Sequence, residues 1–286
     1  MSITFDDLRE AAKDCLVTAG SSYTPDRLAA YEQAARKEKK ENARWFLELI
    51  LENARIAQRE KLPLCDDTGV PHVLVRLGTD CVLPAGWLEA IREGVAAGLR
   101  TLPGRPMAVK GDGIQRVEQS QGLFENSDAL EHAPVIMRSV PGDKLNLAVL
   151  MLGGGPEIRA RTRRIFHKRS MEKVIGEVVE WLSEEVLLLG CTPSIPAIGI
   201  GRSQVEASAL MLEAMADGDV SKQNEWEQKV VAAVNGTHVG PLGLGGDYTV
   251  MGCFLKIGPT RASGVRIVTA RPCCLVEPRV GKAILA

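Results

Sequence analysis

Through the first 60 residues apolar positions recur at helical spacing inside a charged surround, as in Trp45, Phe46, Leu49, Ile50 and Leu51. Thr4-Phe5-Asp6-Asp7 and Thr24-Pro25-Asp26 supply the hydroxyl, proline and acids that open helices, so this part predicts the edge of a helical bundle. Pro63-Leu64-Cys65-Asp66-Asp67-Thr68-Gly69 breaks that period and hands over to Val73-Leu74-Val75-Arg76-Leu77, a β-rich run. Residues 85–100 return to helix. Residues 101–132 form a polar, Gly-bearing stretch longer than an ordinary connection, which predicts a functional loop in preference to a disordered one. Two apolar runs, 134–140 and 145–152, are joined by Pro141-Gly142-Asp143 and read as a hairpin; the second ends in Gly153-Gly154-Gly155. A helix over 170–189 leads through Gly190-Cys191-Thr192-Pro193 to a strand at 195–200. Gly201-Arg202-Ser203 then opens a helix to about residue 216, making a strand-turn-helix unit. A helix over 221–234 and strands at 248–257 and 265–269 precede the Pro272-Cys273-Cys274 loop. The chain has no repeat, low-complexity segment or evident linker. It reads as one α+β domain over 1–286, helix-rich with antiparallel sheets, helical over about 1–60 and mixed over about 61–286.

Composition narrows the classes. With 45% hydrophobic residues, 286 positions suffice for a sizeable core, and 35 basic against 36 acidic side chains leave a net charge of −1. No long-range field marks a nucleic-acid or membrane-surface binder, and any basic patch must be local. The longest uninterrupted apolar stretch, Leu147 to Leu152, is six residues, far short of the roughly 20 needed to span a bilayer. The first residues carry no basic segment followed by an apolar one, so a cytoplasmic protein is expected.

The seven cysteines are an odd number in a chain too large to need disulfide staples, so reduced thiols are expected. No CxxC pair is present, and any metal site must be assembled from cysteines distant in sequence. Cys15 lies on a helical pattern and Cys253 in an apolar run, where core packing accounts for them; Cys81 reads as inert. Cys65, Cys191 and the Cys273-Cys274 pair instead sit in loops beside Gly, Pro or small polar residues. A lone cysteine is most often a small core residue. Three loop cysteines also suit an iron-sulfur cluster, whose sulfurs take hydrogen bonds from nearby backbone amides. Three ligands for four irons leave one iron open as a Lewis acid for a substrate carboxylate and hydroxyl.

Five segments in order add a resemblance. Pro63-Leu64-Cys65-Asp66-Asp67-Thr68-Gly69 resembles the P-x-C-Q-D-T-G element of the iron-sulfur hydro-lyases, the class I fumarases and tartrate dehydratases, in their α subunit or α-type catalytic domain. Val140-Pro141-Gly142-Asp143-Lys144-Leu145 is similar to that family's V-P-G-D-K turn, and Gly153-Gly154-Gly155 falls where its three glycines follow the next strand. Cys191-Thr192-Pro193 with Gly199-Ile200-Gly201 resembles C-P-P followed by G-x-G-I-G. Gly240-Pro241-Leu242-Gly243-Leu244-Gly245-Gly246 resembles I-G-P-Q-G-L-G-G. The likeness runs over about residues 60–280.

The resemblance implies a [4Fe-4S] cluster on Cys65, Cys191 and Cys273 or Cys274, with Cys273 favoured because the family's last ligand precedes a bulky residue. It implies Asp67 as the proton donor to departing water and Arg105 as a carboxylate clamp. It further implies Gly153, Gly154 and Gly155 as a substrate-side loop whose bare backbone approaches an anion, against the plainer reading of a flexible turn. The reaction implied is reversible dehydration of a small 2-hydroxy (di)carboxylic acid. The family's carbon-side base lies on a β subunit or domain, so a separate β partner and self-association of this α-type chain are expected, with no nucleic acid and no membrane.

Three departures bear on substrate. Asp66 replaces the usual Gln and places an anion at a substrate-binding position, which weakens dicarboxylate binding unless a cation compensates. Pro156-Glu157-Ile158 follows the glycines where fumarases show Ser-Glu-Asn, and it leads into Arg159, Arg161, Arg163, Arg164, Lys168 and Arg169. That run reads as a solvated face, or as the compensating charge, or as a docking surface. Cys273-Cys274-Leu275 stands where the family tends to have one cysteine before Trp. A noncatalytic cluster-binding or regulatory family member without its own hydro-lyase activity is the alternative. A nucleotide site at the three glycines lacks a completing GxGxxG or Lys-Ser/Thr. His72, His132, His167 and His238 share no metal-ligand spacing.

Overall fold

The computed structural model describes residues 3–286. In chain order its elements are α1 (Phe5–Ser21), α2 (Pro25–Lys37), α3 (Glu41–Glu60), β1 (Val70–Gly78), α4 (Trp87–Thr101), α5 (Gly113–Glu118), β2 (Ile136–Val140), β3 (Leu145–Leu152), α6 (Gly154–Glu157), β4 (Arg161–Phe166), α7 (Met171–Leu187), β5 (Ala197–Gly201), α8 (Gln204–Asp217), α9 (Glu225–Asn235), β6 (Phe254–Ile257), β7 (Val265–Arg271) and β8 (Arg279–Leu285). They divide into two compact units, neither continuous in sequence: residues 1–22, 54–153 and 279–286 in one, and 23–53 and 154–278 in the other. The fold is mixed α and β with two sheets.

The first unit holds a four-stranded sheet in the order β2-β1-β3-β8. Thr4 begins α1 as expected: its hydroxyl accepts from Asp7 N–H at 3.1 Å and the Asp7 carboxylate accepts from Thr4 N–H at 2.9 Å. Leu8, Leu16, Ile91 and Leu99 of α1 and α4 share a core with Val75, Leu147 and Val149 of the sheet. The hairpin predicted over 134–152 is overturned. β1 lies between its two arms, parallel to β2 and antiparallel to β3. Pro141-Gly142-Asp143 instead wraps the end of β1, where Gly78 N–H donates to Lys144 O and Thr79 N–H to Val140 O, both at 2.9 Å. Turn residues report a turn locally, whereas the strand inserted between the arms lies far upstream, Leu74 standing opposite Ile136. Residues 101–132 are not wholly irregular: Asp112 caps the short α5 in a box with Gln115, and none of that helix is buried.

The second unit holds the order β4-β7-β5-β6. Each sheet is antiparallel except for one parallel pair, β1 with β2 and β5 with β6, so the expectation of antiparallel sheets is corrected to mixed ones. Ile198 and Ile200 of β5 pack with Val178, Trp181 and Leu182 of α7 and Val230 of α9. Gly199, between them, faces α8 so closely that a Cβ would stand 2.0 Å from Ala207 O. The charge run at 159–169 proves to contain β4, paired antiparallel with β7. Its alternation explains the arginines: Arg159 and Arg161 pair with the buried Glu185 at 3.4 and 2.5 Å, and Arg163 lies over the Trp181 ring at 5.0 Å. The strand expected at 248–257 starts only at Phe254. Upstream of it the Asn235 side-chain oxygen accepts from Thr249 and Val250 N–H, each at 2.8 Å, taking the place of a ladder partner. Among the described residues, no helix is long and apolar enough to cross a membrane.

Candidate active site

In the first unit the Cys65-Asp66-Asp67-Thr68-Gly69 loop connects α3 to β1 and is fastened from two sides. Arg105 N–H donates to Thr68 Oγ1 at 3.0 Å, bringing the residue 104–106 segment onto the loop. Arg279, at the start of β8 and 1% exposed, donates from Nη1 to Asp67 O at 2.8 Å and from Nε to Met151 O at 3.0 Å. Gly69 is required here: its φ is +86°, and a Cβ would meet Arg279 Nη2 at 2.5 Å and the Leu152 backbone at 2.9 Å. These contacts fix the backbone and bury Thr68. Cys65 and Asp67 are half-buried, and Asp66 is exposed.

Arg105 lies where the sequence reading wants a carboxylate clamp, but its Nη1 bonds Asp66 Oδ2 at 3.0 Å, the two side chains 53% and 83% exposed. The cation that compensates Asp66 is therefore Arg105, not the arginine run beyond the glycines. Gly153 ends the first unit's segment, and Gly154 and Gly155 belong to α6 in the second. Gly155 has open space where a side chain would stand, and Gly154 O accepts Ile158 N–H at 3.1 Å, so these two residues form a helical turn.

In the second unit the Cys191 loop and the Cys273-Cys274 loop are joined directly: Leu275 N–H donates to Cys191 O at 2.9 Å. Thr192, buried, donates its hydroxyl to Gly240 O at 2.6 Å and its carbonyl accepts Leu242 N–H at 3.0 Å, which docks the glycine-rich 240–246 loop on the Cys191 loop. Leu275 O is met by Tyr31 Oη at 2.8 Å, Tyr23 Oη at 3.0 Å and Arg27 Nη2 at 3.1 Å. Arg27 also donates to Val276 O at 3.2 Å and to Pro278 O. The buried Arg271 binds Glu277 through Nε and Nη2 at 2.8 and 2.9 Å, and binds the Glu157 carboxylate through Nη1. Burial opposes the Arg271 charge, but Glu277 outweighs it and the guanidinium pKa is raised.

This scaffold separates the two adjacent cysteines. Cys273 has a φ of +54° and is fully buried, and burial, followed by the Glu277 charge, pushes its thiol well up. Cys274 is half-buried and Cys191 exposed. Cys15 and Cys253 are core residues as expected, with burial raising Cys15 to about 12. No cysteine is in a disulfide. Among the described residues, no group of three or more His, Cys, Asp or Glu is gathered as a single ion would require.

Sequence reasoning missed Arg27, Tyr31, Arg271, Glu277 and Arg279, all of which hold cysteine loops. The available signal was a set of charges in a Pro-bearing, otherwise apolar run, Arg271-Pro272 through Glu277-Pro278-Arg279, where burial forces charged groups to find partners.

The chain belongs to the fumarate hydratase (Fumerase) family, whose model matches residues 9–282, and it carries an α-type hydro-lyase domain. A provisionally named L(+)-tartrate dehydratase subunit alpha from Methanocaldococcus jannaschii is 27% identical over 240 residues, covering 80% of each chain. The L(+)-tartrate dehydratase subunit alpha of Escherichia coli strain UTI89 is 25% identical over 222 residues, 74% of this chain and 69% of the relative. That of strain K12 is 23% identical over the same length.

Proposed function

We propose that this chain is the α subunit of an iron-sulfur hydro-lyase that reversibly dehydrates a small 2-hydroxy dicarboxylic acid, tartrate-like or fumarate-forming, together with a separate β subunit. The observation that carries the reading is the hydrogen bond from Leu275 N–H to Cys191 O, which joins two cysteine loops in one unit while Cys191 and Cys274 stay accessible. The donor chemistry fits: Cys65, Cys191 and Cys274 are thiols outside disulfides and outside the core, in loops held by buried arginines and tyrosines. Each ligand of a four-iron cluster takes its own iron, so the tight donor group a single ion needs is not required. Cys274 is assigned the third position in place of Cys273, whose burial beside the Arg271 and Glu277 pair removes it from reach.

When bound, the cluster supplies an open iron that acts as a Lewis acid on the substrate hydroxyl and carboxylate. Asp67, half-buried and with its carbonyl fixed by Arg279, holds the proton delivered to the departing oxygen. Arg105 orients the far carboxylate by exchanging Asp66 for substrate, a small cost because both groups are largely exposed and such pairs contribute about 0–1 kcal/mol. The carbon-side base and further carboxylate contacts come from the β subunit.

Iron and acid-labile sulfide, with a visible spectrum, on anaerobically reconstituted protein test this. Wild type and Cys273→Ser are expected to carry about four of each, and Cys65→Ser, Cys191→Ser and Cys274→Ser to lose them. An iron-free wild type overturns the mechanism, and loss in Cys273→Ser but not Cys274→Ser reverses the ligand assignment. The noncatalytic alternative draws on the Asp66 and Arg105 pair, which occupies the substrate clamp; it predicts a normal cluster and no turnover with any β subunit.

A further inference from the structure

We propose that the cavity lined by Arg164, Arg202, Arg261 and Arg266 in the second unit is a binding site for a compact polyanion of the pyrophosphate class. The cavity measures about 270 Å³, and Thr260 and Ser263 add hydroxyls to its lining, which contains no Asp or Glu. Strand register builds it. Arg164 of β4 stands opposite Ile267 of β7, which stands opposite Gly201 of β5, immediately before Arg202. The segment between β6 and β7 then supplies Thr260, Arg261 and Ser263.

Charge accounting leaves a surplus. Arg202 is neutralised by Glu206, bonded through Nε at 3.1 Å and Nη2 at 2.6 Å. Among the described residues, Arg266 Nη1 donates to the Ser263 and Val265 carbonyls, at 3.2 and 3.0 Å, and to no carboxylate. Arg164 lies over the Phe166 ring at 5.6 Å. Arg261 makes no ion pair or side-chain hydrogen bond among the described residues. Three arginines therefore line one small cavity whose described lining has no carboxylate, and an anion of matching charge relieves their like charges. Guanidinium forks donate paired N–H bonds to phosphate oxygens, and the volume lies just under the usual range of ligand sites, which suits two linked phosphates better than a whole nucleotide. The other arginines of the run do not contribute, since Arg159 and Arg161 are held by Glu185 and Arg163 by Trp181. The site shares no residue with the proposed hydro-lyase machinery and stands or falls separately from it.

Calorimetric titration of the full chain with pyrophosphate, inorganic phosphate and citrate at about 0.15 M salt tests the assignment. One pyrophosphate site with a dissociation constant below about 1 mM is expected. Inorganic phosphate and citrate should bind more weakly. Arg261→Gln and Arg266→Gln should each weaken pyrophosphate about ten- to a hundredfold, while Arg105→Gln leaves it unchanged. Arg261 makes no ion pair or side-chain hydrogen bond among the described residues, so that variant keeps the test sound even if Arg266→Gln unfolds, as circular dichroism will show. Absence of saturable binding, or equal affinity in Arg261→Gln, overturns the site. Citrate binding as tightly as pyrophosphate overturns the phosphate assignment, and loss of binding in Arg105→Gln assigns the anion to the hydro-lyase clamp instead.

Discussion

Asp66 and Arg105 show how one substitution reorganises a binding position. An amide there leaves a neighbouring guanidinium available, whereas a carboxylate engages it at 3.0 Å. Asp66→Gln is therefore expected to lower KM for a dicarboxylate substrate roughly two- to fivefold, the equivalent of an exposed pair worth about 0.5–1 kcal/mol. Steady-state kinetics of the cluster-loaded enzyme with its β partner measure it, and an unchanged or higher KM argues against Arg105 as the clamp. At this scale the loop cysteines are marked in sequence by their place beside Gly, Pro or small polar residues, whereas Asp67 and Arg105 enter only through the family resemblance. What was hidden was which of Cys273 and Cys274 faces outward, because a left-handed Cys273 backbone and the Arg271 and Glu277 pair decide it. Arg279 was equally hidden: it acts on the Cys65 loop from more than 200 positions away, and no local pattern carries that contact.

Elements with a period long enough to express itself were readable. The helices α1, α3, α4, α7 and α8 fall where apolar spacing and caps predict them, and Gly201-Arg202-Ser203 marks the β5 to α8 junction. That junction depends on Gly199, and Gly199→Ala places a methyl against the Ala207 carbonyl and the Met211 amide, 2.0 and 2.4 Å away. Since both are backbone atoms of α8, relief requires moving the helix, and the expected loss is about 1–3 kcal/mol or more. Urea unfolding should show a lower midpoint with an unchanged slope; an unshifted midpoint means that α8 moves freely. Strands were read less well. β4 looked like a solvated charge run because Arg161 and Arg163 meet Glu185 and Trp181 on one side while Arg164, on the other, lies over Phe166 and lines a cavity. A period of two made of charges signals a strand only when their partners are known. The supposed hairpin failed for the related reason that turn residues report a turn and not which strand pairs across it.

On the scale of the whole molecule, membership of the fumarate hydratase family and relatives named as alpha subunits support a catalytic apparatus completed by a second chain. Reconstituted protein alone is expected to turn over hydroxy-acid substrate at less than about a hundredth of the rate reached with a β-type subunit, the loss typical when a general base is missing. Activity assays with size-exclusion chromatography check this; full activity of the isolated chain removes the need for a partner. The sequence by itself determined the helical segments, the cysteines that are core and those that lie in loops, because these follow from residue type and local period, while the class of protein came from the resemblance of five ordered motifs to a known family. The tertiary structure alone decided the mixed strand order of both sheets, the division of the chain into two discontinuous units, and the burial that separates Cys273 from Cys274. It also decided that Arg105 is engaged by Asp66 and that Arg164, Arg202, Arg261 and Arg266 share one cavity. Each of these is a contact between residues far apart in the chain, and such contacts are set by which surfaces pack together, a choice that no local pattern of residues encodes.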